Sequence, residues 1–345
     1  MSMKDSRELA WEQYKRMIGR PLIQKINSFA KLLPSLAIVV LLVGCGQTDL
    51  ESNGNTNQRP LELTRTIVAV SYPLQYLTQR VAGPEFEVSF PIPADSDPQA
   101  WRPDRAAISN MQSADLIIAN GTGATYAKWL TIVSLPDSKL RNTASRSLLL
   151  KDYIGVEDVS IVHSHGPEGE HSHPTMVARS WLAPAIAKKQ AVYIAGELAD
   201  VYPEHAALFD DNLQSLVVEL DGLTSRLNAA VSSVSGILTA TPRLKYFSRA
   251  TGIGYDQHLT WFKNPNVEQA KKDLDSLAKK HPDQSAQVIL FDDALPPQEL
   301  VDVLSAHKLK AIEISLIDRQ PATGDFLTAL RENIDRFEEA VESLK

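Results

Sequence analysis

The sequence predicts an α/β protein with mostly parallel sheets in two lobes joined by one long helix, and three observations carry that reading. The runs "TIVAV" (66–70), "ADLIIANG" (114–121), "GILTAT" (236–241), "AQVILFDD" (286–293) and "KAIEISLID" (310–318) are continuously apolar and end in polar or small residues. Continuous rather than alternating hydrophobicity marks strands covered on both faces, as parallel strands usually are. Amphipathic stretches separate these runs, as crossover helices would. Between Pro203 and Val234, finally, Phe209, Leu213, Leu216, Leu220, Leu223, Leu227, Ala230 and Val234 recur at steps of three and four.

The amino terminus is read apart from the fold. Lys15, Arg16, Arg20, Lys25 and Lys31 precede the apolar run "LLPSLAIVVLLVG", and Cys45 follows it. This is the pattern of a secretory signal peptide, and the run falls short of the about 20 apolar residues of a spanning helix. The word "LVGC" (42–45) resembles the bacterial lipobox, which makes Cys45 a lipid-bearing first residue after cleavage. Cys45 is the one cysteine of the chain, so no intramolecular disulfide forms in a compartment that permits them. Met17 would be a more usual start for such a leader. Residues 46–63, "GQTDLESNGNTNQRPLEL", contain little that could build a core and read as a flexible tether.

About 280 residues then remain, enough for two modest domains. In the strand runs the polar ends matter most, because ligands of open parallel sheets gather at the carboxyl ends of the strands. Asp292, Asp293 and Asp318 stand at such ends. The periodic segment 203–234 has Pro203 for a first turn, Gly236 for a stop and Gly222 as its weak point. A helix of that length spans about 45 Å, longer than a small domain is wide, which suits a strut between lobes. Net charge of −7 and the lack of a basic run argue against a nucleic-acid partner. No Gly-x-Ser-x-Gly elbow, phosphate-loop motif or His-Glu-x-x-His helix is present, and no cysteine lies in the folded part, so an enzyme is disfavoured.

The order of features resembles the bacterial substrate-binding lipoproteins of zinc and manganese ABC importers, the ZnuA-like and TroA-like family (cluster A-I). "SYPLQYLTQRVAGPEFEV" is similar to its first strand–helix passage, and "PIPADSDPQAWRPDRAAISNMQSADLIIANGTG" to its P-x-G-x-D-P-H-x-Y-E-P segment. "SWLAPAIAKKQAVYIAGELADVYPEHAALFDDNL" resembles the passage that begins H-x-W-L-D-P, and "LIDRQPATGDFLTALRENIDRFEEAVESL" the family's ending. The resemblance spans 66–345 and implies two Rossmann-like lobes, 64–202 and 235–345, bridged by a rigid helix over 203–234. It also implies a monomer that holds a metal in the interlobe cleft and delivers it to a membrane permease driven by an ATPase.

The resemblance places the family's cleft ligands, histidines and a carboxylate, on named positions of this chain, and most have changed. Gln99 stands at the D-P-H histidine, Arg179 at the H-x-W-L-D-P histidine, and Thr241 at the second-lobe histidine before Tyr246 and Phe247. Asp318 matches the carboxylate, and Asp293 or Asp292 the position of a glutamate in some members. An amide and a hydroxyl are weak zinc ligands, and a guanidinium has no lone pair to offer. Arg179 is therefore expected to take the place of the ion, within about 4 Å of Asp318 and near Asp293. His258, in "GYDQHLTWF" beside Asp256, is a candidate substitute ligand.

The second metal signal is "VHSHGPEGEHSHP", with His163, His165, His171 and His173 in eleven residues and Glu168 and Glu170 among them. Alternating His-x-His pairs about a Gly and Pro turn suit zinc through neutral imidazole. A histidine-rich insertion is common at this place in zinc-specific members, which favours zinc over manganese. The reading is a lipid-anchored solute-binding component of a zinc importer, exported to the cell envelope. Two others stay open: a metal-sequestering protein that uses only the histidine loop, and a receptor for an anionic solute recognised by Arg179.

Overall fold

A computed structural model describes residues 65–98, 100–120, 128–143, 159–164, 170–175, 179–252, 254–258, 266–280 and 287–344. The proposed leader and tether (1–63), Gln99 and His165 lie outside them. The first lobe carries the parallel strands β1 (Arg65–Ala69), β2 (Phe86–Ser89), β3 (Leu116–Ala119) and β4 (Leu140–Asn142), in the order β2-β1-β3-β4. The second has β7 (Ile237–Thr239), β8 (Gly254–His258), β9 (Val288–Asp292) and β10 (Lys310–Ile314), in the order β10-β9-β7-β8, also parallel. Each of the five continuous apolar runs supplies one of these strands, and Ile67, Ile117, Ile237 and Ile289 are fully buried.

Helices cover the sheets. In the first lobe α1 (Tyr72–Ala82) starts where Ser71 Oγ accepts from the Leu74 amide, with Pro73 in the first turn. Then come α2 (Arg105–Ser113), capped by Asp104, and α3 (Pro184–Val201), opened by Pro184. Proline costs nothing in a first turn, where its missing N–H has no partner to lose. In the second lobe α5 (Lys245–Ala250), α6 (Val267–Lys280), α7 (Gln298–Ala306) and α8 (Phe326–Glu342) alternate with the strands.

The linking helix α4 runs Ala206–Val231, not 203–234. Pro203–His205 form a separate 3-10 turn, in which the His205 amide donates to the Tyr202 carbonyl, and Ser232 and Ser233 close the other end in turns. At 1.5 Å per residue α4 is about 39 Å long. It buries Phe209, Leu213, Leu216, Leu220, Leu223, Leu227 and Val231 as a single stripe. That stripe packs against α1 and α3 of the first lobe and against α8 of the second, so one helix belongs to both. Arg226 of α4 is ion-paired with Asp335 (2.6 Å) and Glu338 of α8.

The histidine-rich segment, expected as a loop, is an antiparallel ribbon of β5 (Val159–Ser164) and β6 (Glu170–Thr175). Its register opposes His163 to His171, and His173 stands opposite Ile161. No described helix is long and apolar enough to cross a membrane.

Candidate functional site

The site is built where the carboxyl ends of both sheets meet. On the first-lobe side, Asn120 follows β3 and Thr143 follows β4, and both are buried. Gln190 of α3 donates to Asn120 Oδ1 (2.9 Å) and Thr143 Oγ1 (3.0 Å), and Ser180 Oγ lies 3.4 Å from Asn120 Oδ1. This fully bonded polar cluster fixes the 3-10 turn Ser180–Leu182, because a buried polar group left without partners is costly. Arg179 immediately precedes that turn, and its carbonyl accepts from the Leu182 amide.

On the second-lobe side, β7 leads to Thr241, whose hydroxyl accepts from the Arg243 amide at 3.1 Å and so caps the turn Pro242–Leu244. β9 ends at Asp292, and Asp293 then adopts φ 57°, with its Oδ1 accepting from the Leu316 amide at 2.8 Å. After β10 the segment 315–318 is held from several directions. Asn333 of α8 accepts from the Ser315 amide and donates to its carbonyl. Ile317 sits at φ 54°, a left-handed conformation rare for a β-branched residue, which costs about 1–3 kcal/mol and persists only where its surroundings enforce it.

Across the gap the two sides join. The Arg179 guanidinium donates from Nη2 to Asp318 Oδ2 at 2.6 Å, and from Nε to Oδ1 and Oδ2 at 3.1 and 3.2 Å. Side-chain exposures of 4% for Arg179 and 18% for Asp318 make this a largely desolvated pair. Two residues along, the Trp181 indole donates to the Leu316 carbonyl at 2.9 Å. Burial pushes the Asp318 carboxyl up and the neighbouring Asp293 charge adds to that, while Arg179 and, more weakly, Arg243 pull it down.

Arg243 is the residue that sequence reasoning missed. Its guanidinium is ion-paired with Asp292, and burial together with the positive charge of Arg179 lowers its pKa, opposed by Asp293, Asp318 and Asp97. Its position two residues beyond Thr241, at the end of a strand, was the signal available. The site thus holds two guanidiniums among several carboxylates.

A sequence profile of the family described as zinc-uptake complex component A, periplasmic (ZnuA), matches residues 67–340. The chain belongs to this family. The high-affinity zinc uptake system protein ZnuA of Bacillus subtilis is 22% identical over 88% of this chain and 95% of its own length. The zinc-binding protein AdcA of Streptococcus pyogenes serotype M3 is 22% identical over 78% of this chain, which spans about half (54%) of AdcA. Among solved structures, the Zn(II)-bound ZnuA-like domain of Streptococcus pneumoniae AdcA matches with a TM-score of 0.59 and 19% identity, over 81% of this chain and 99% of that one. The FpvC solute-binding protein of Pseudomonas aeruginosa in complex with Ni2+ matches with a TM-score of 0.57 at 18% identity. The fold is therefore that of the ZnuA and TroA-like substrate-binding proteins.

The donors of the cleft are largely engaged by other groups. Both Asp318 oxygens accept from Arg179, Asp292 is paired with Arg243, Asp293 has one oxygen on a backbone amide, and the Thr241 hydroxyl serves as a cap. Among the described residues no group of three or more His, Cys, Asp or Glu is arranged to hold a metal ion. Asp318 and Arg179 meet directly, whereas Asp293 is exposed and bonds to the Leu316 amide rather than to Arg179. His258 ends β8, where its backbone is the register partner of Thr239. His163, His171 and His173 share the ribbon, apart from either sheet.

Proposed function

We propose that this chain is the extracytoplasmic solute-binding component of a zinc ABC importer and that its metal contact is the histidine ribbon, with Arg179 in the cleft where relatives hold an ion. The arrangement that carries this reading is the two-point Arg179–Asp318 contact, in which a guanidinium donates to both oxygens of the cleft carboxylate. Family membership over 67–340 supports a transport role, and the names of the B. subtilis and S. pyogenes relatives support zinc as its cargo. Imidazole donors at His163, His165, His171 and His173 suit zinc better than manganese, which prefers oxygen. The opposed register of His163 and His171, with His173 two positions along, brings three of these donors to one short ribbon.

In this reading residues 1–45 direct export, Cys45 carries the lipid, and 46–63 tether the lobes 64–202 and 235–345 with their linker 203–234. The chain acts as a monomer that delivers zinc to a permease and its ATPase. Disrupting the gene should slow growth in medium depleted with a zinc-selective chelator, and added zinc should restore it. Growth that does not respond to zinc in the disrupted strain would remove the importer from the account. A receptor for an anionic solute is the second reading, and Arg243 favours it, being a guanidinium 40% exposed beside Arg179. A solute captured by the purified protein in the presence of EDTA would decide for it.

A further inference from the structure

We infer that Arg179 is a latch: it holds the two lobes in the closed arrangement without any ion, so that zinc binding does not drive the closure of this protein. The inference rests on the reading that a guanidinium occupies the cleft in place of cargo. Two neighbouring contacts cross from the first lobe to the same short segment of the second. Trp181 donates to the Leu316 carbonyl, and Arg179 donates from Nε and Nη2 to the Asp318 carboxylate. They flank Ile317, whose φ of 54° is unfavourable for a branched side chain. Contacts from the other lobe thus meet this turn on both sides of Ile317, in addition to the bonds of Asn333 and Asp293 within the second lobe. Tyr76 of α1 donates to Asp325, the cap of α8, at 3.0 Å and adds a third contact between the lobes.

The energetic consequence follows from linkage. An ion closes a cleft only to the extent that it binds the closed state better than the open one, and its effect grows with its concentration. A cation carried by the chain itself is always present, so the closed state needs no cargo. Zinc on β5 and β6 is bound on a ribbon whose strands pair with each other and with neither sheet among the described residues, so in this account it binds the open and closed arrangements alike. A ligand with equal affinity for both arrangements shifts nothing, however tightly it binds.

The test measures lobe separation by single-molecule energy transfer in the chain carrying Cys45→Ser. Dyes are placed on cysteines introduced at exposed Ser109 of α2 and Lys272 of α6. The native cleft should give one transfer population with the same centre in EDTA and in saturating zinc, and Arg179→Ala should add a population of lower transfer. A native protein that sits at low transfer in EDTA and moves up with zinc would overturn the latch. So would a folded Arg179→Ala variant with an unchanged distribution. If that variant does not fold, the native comparison in EDTA and zinc decides alone. Calorimetry on the same samples reports zinc binding separately, so loss of the ribbon reading and loss of the latch are different results.

Discussion

Arg179 decides the chemistry of the cleft. A histidine there would offer one lone pair to a metal, whereas guanidinium offers only donors in a planar fork that matches a carboxylate. Removing one partner of a desolvated pair leaves the other buried, so Arg179→Ala should cost about 3 kcal/mol in chemical denaturation, less if opening lets water reach Asp318. The double change Arg179→Met with Asp318→Leu should restore most of that loss. Restoring the ligand types tests the same idea from the other side: Gln99→His, Arg179→His and Thr241→His together should create a tight zinc site in the cleft that survives removal of the ribbon histidines. Asp325 gives a pH signature. Burial alone would raise its carboxyl, but the Thr328 amide and hydroxyl, the Tyr76 hydroxyl and the Arg80 charge hold it below the usual range. A lowered folded value stabilises the native state above the unfolded pKa of about 3.9, and the contribution fades as pH falls through the lower folded value. Asp325→Asn should therefore destabilise at pH 7, and the difference in melting temperature from the native chain should shrink on acidification.

At the scale of elements, α4 holds the lobes through its apolar stripe more than through its charges. Leu216 is fully buried there, and Leu216→Ala should cost about 2–5 kcal/mol. Arg226 is 37% exposed in its pairing with Asp335 and Glu338, so Arg226→Ala should cost no more than about 1 kcal/mol by the same denaturation assay. The elements that the sequence reveals and those it hides differ in burial. β1, β3, β7 and β9 are interior strands flanked on both sides, and each reads as a continuous apolar run. β2, β4 and β8 are edge strands, "FEVS", "LRN" and "GYDQH", and with a neighbour on one side only they carry no such run. The edge strand β10 is legible because Ile312 and Ile314 pack inward. The ribbon is hidden for another reason: its strands, "VSIVHS" and "EHSHPT", carry His and Ser in place of a long apolar run.

For the whole molecule, the two-lobed frame and the Arg179–Asp318 contact were both legible, the first from the periods of hydrophobicity and the second from one residue's chemistry set against a family pattern. Arg243 was not, since a lone arginine after a strand carries no spacing to mark it and its meaning comes from what faces it across the cleft. In the proposed account this member of the ZnuA family closes its lobes on Arg179 and binds zinc on the separate histidine ribbon. The most direct test is a zinc titration by calorimetry on residues 60–345, beside the same protein lacking 163–173. The account predicts that zinc binding is lost with the ribbon. A tight one-to-one site that persists in the shortened protein would contradict it, and would mean that Arg179 yields the cleft to an ion.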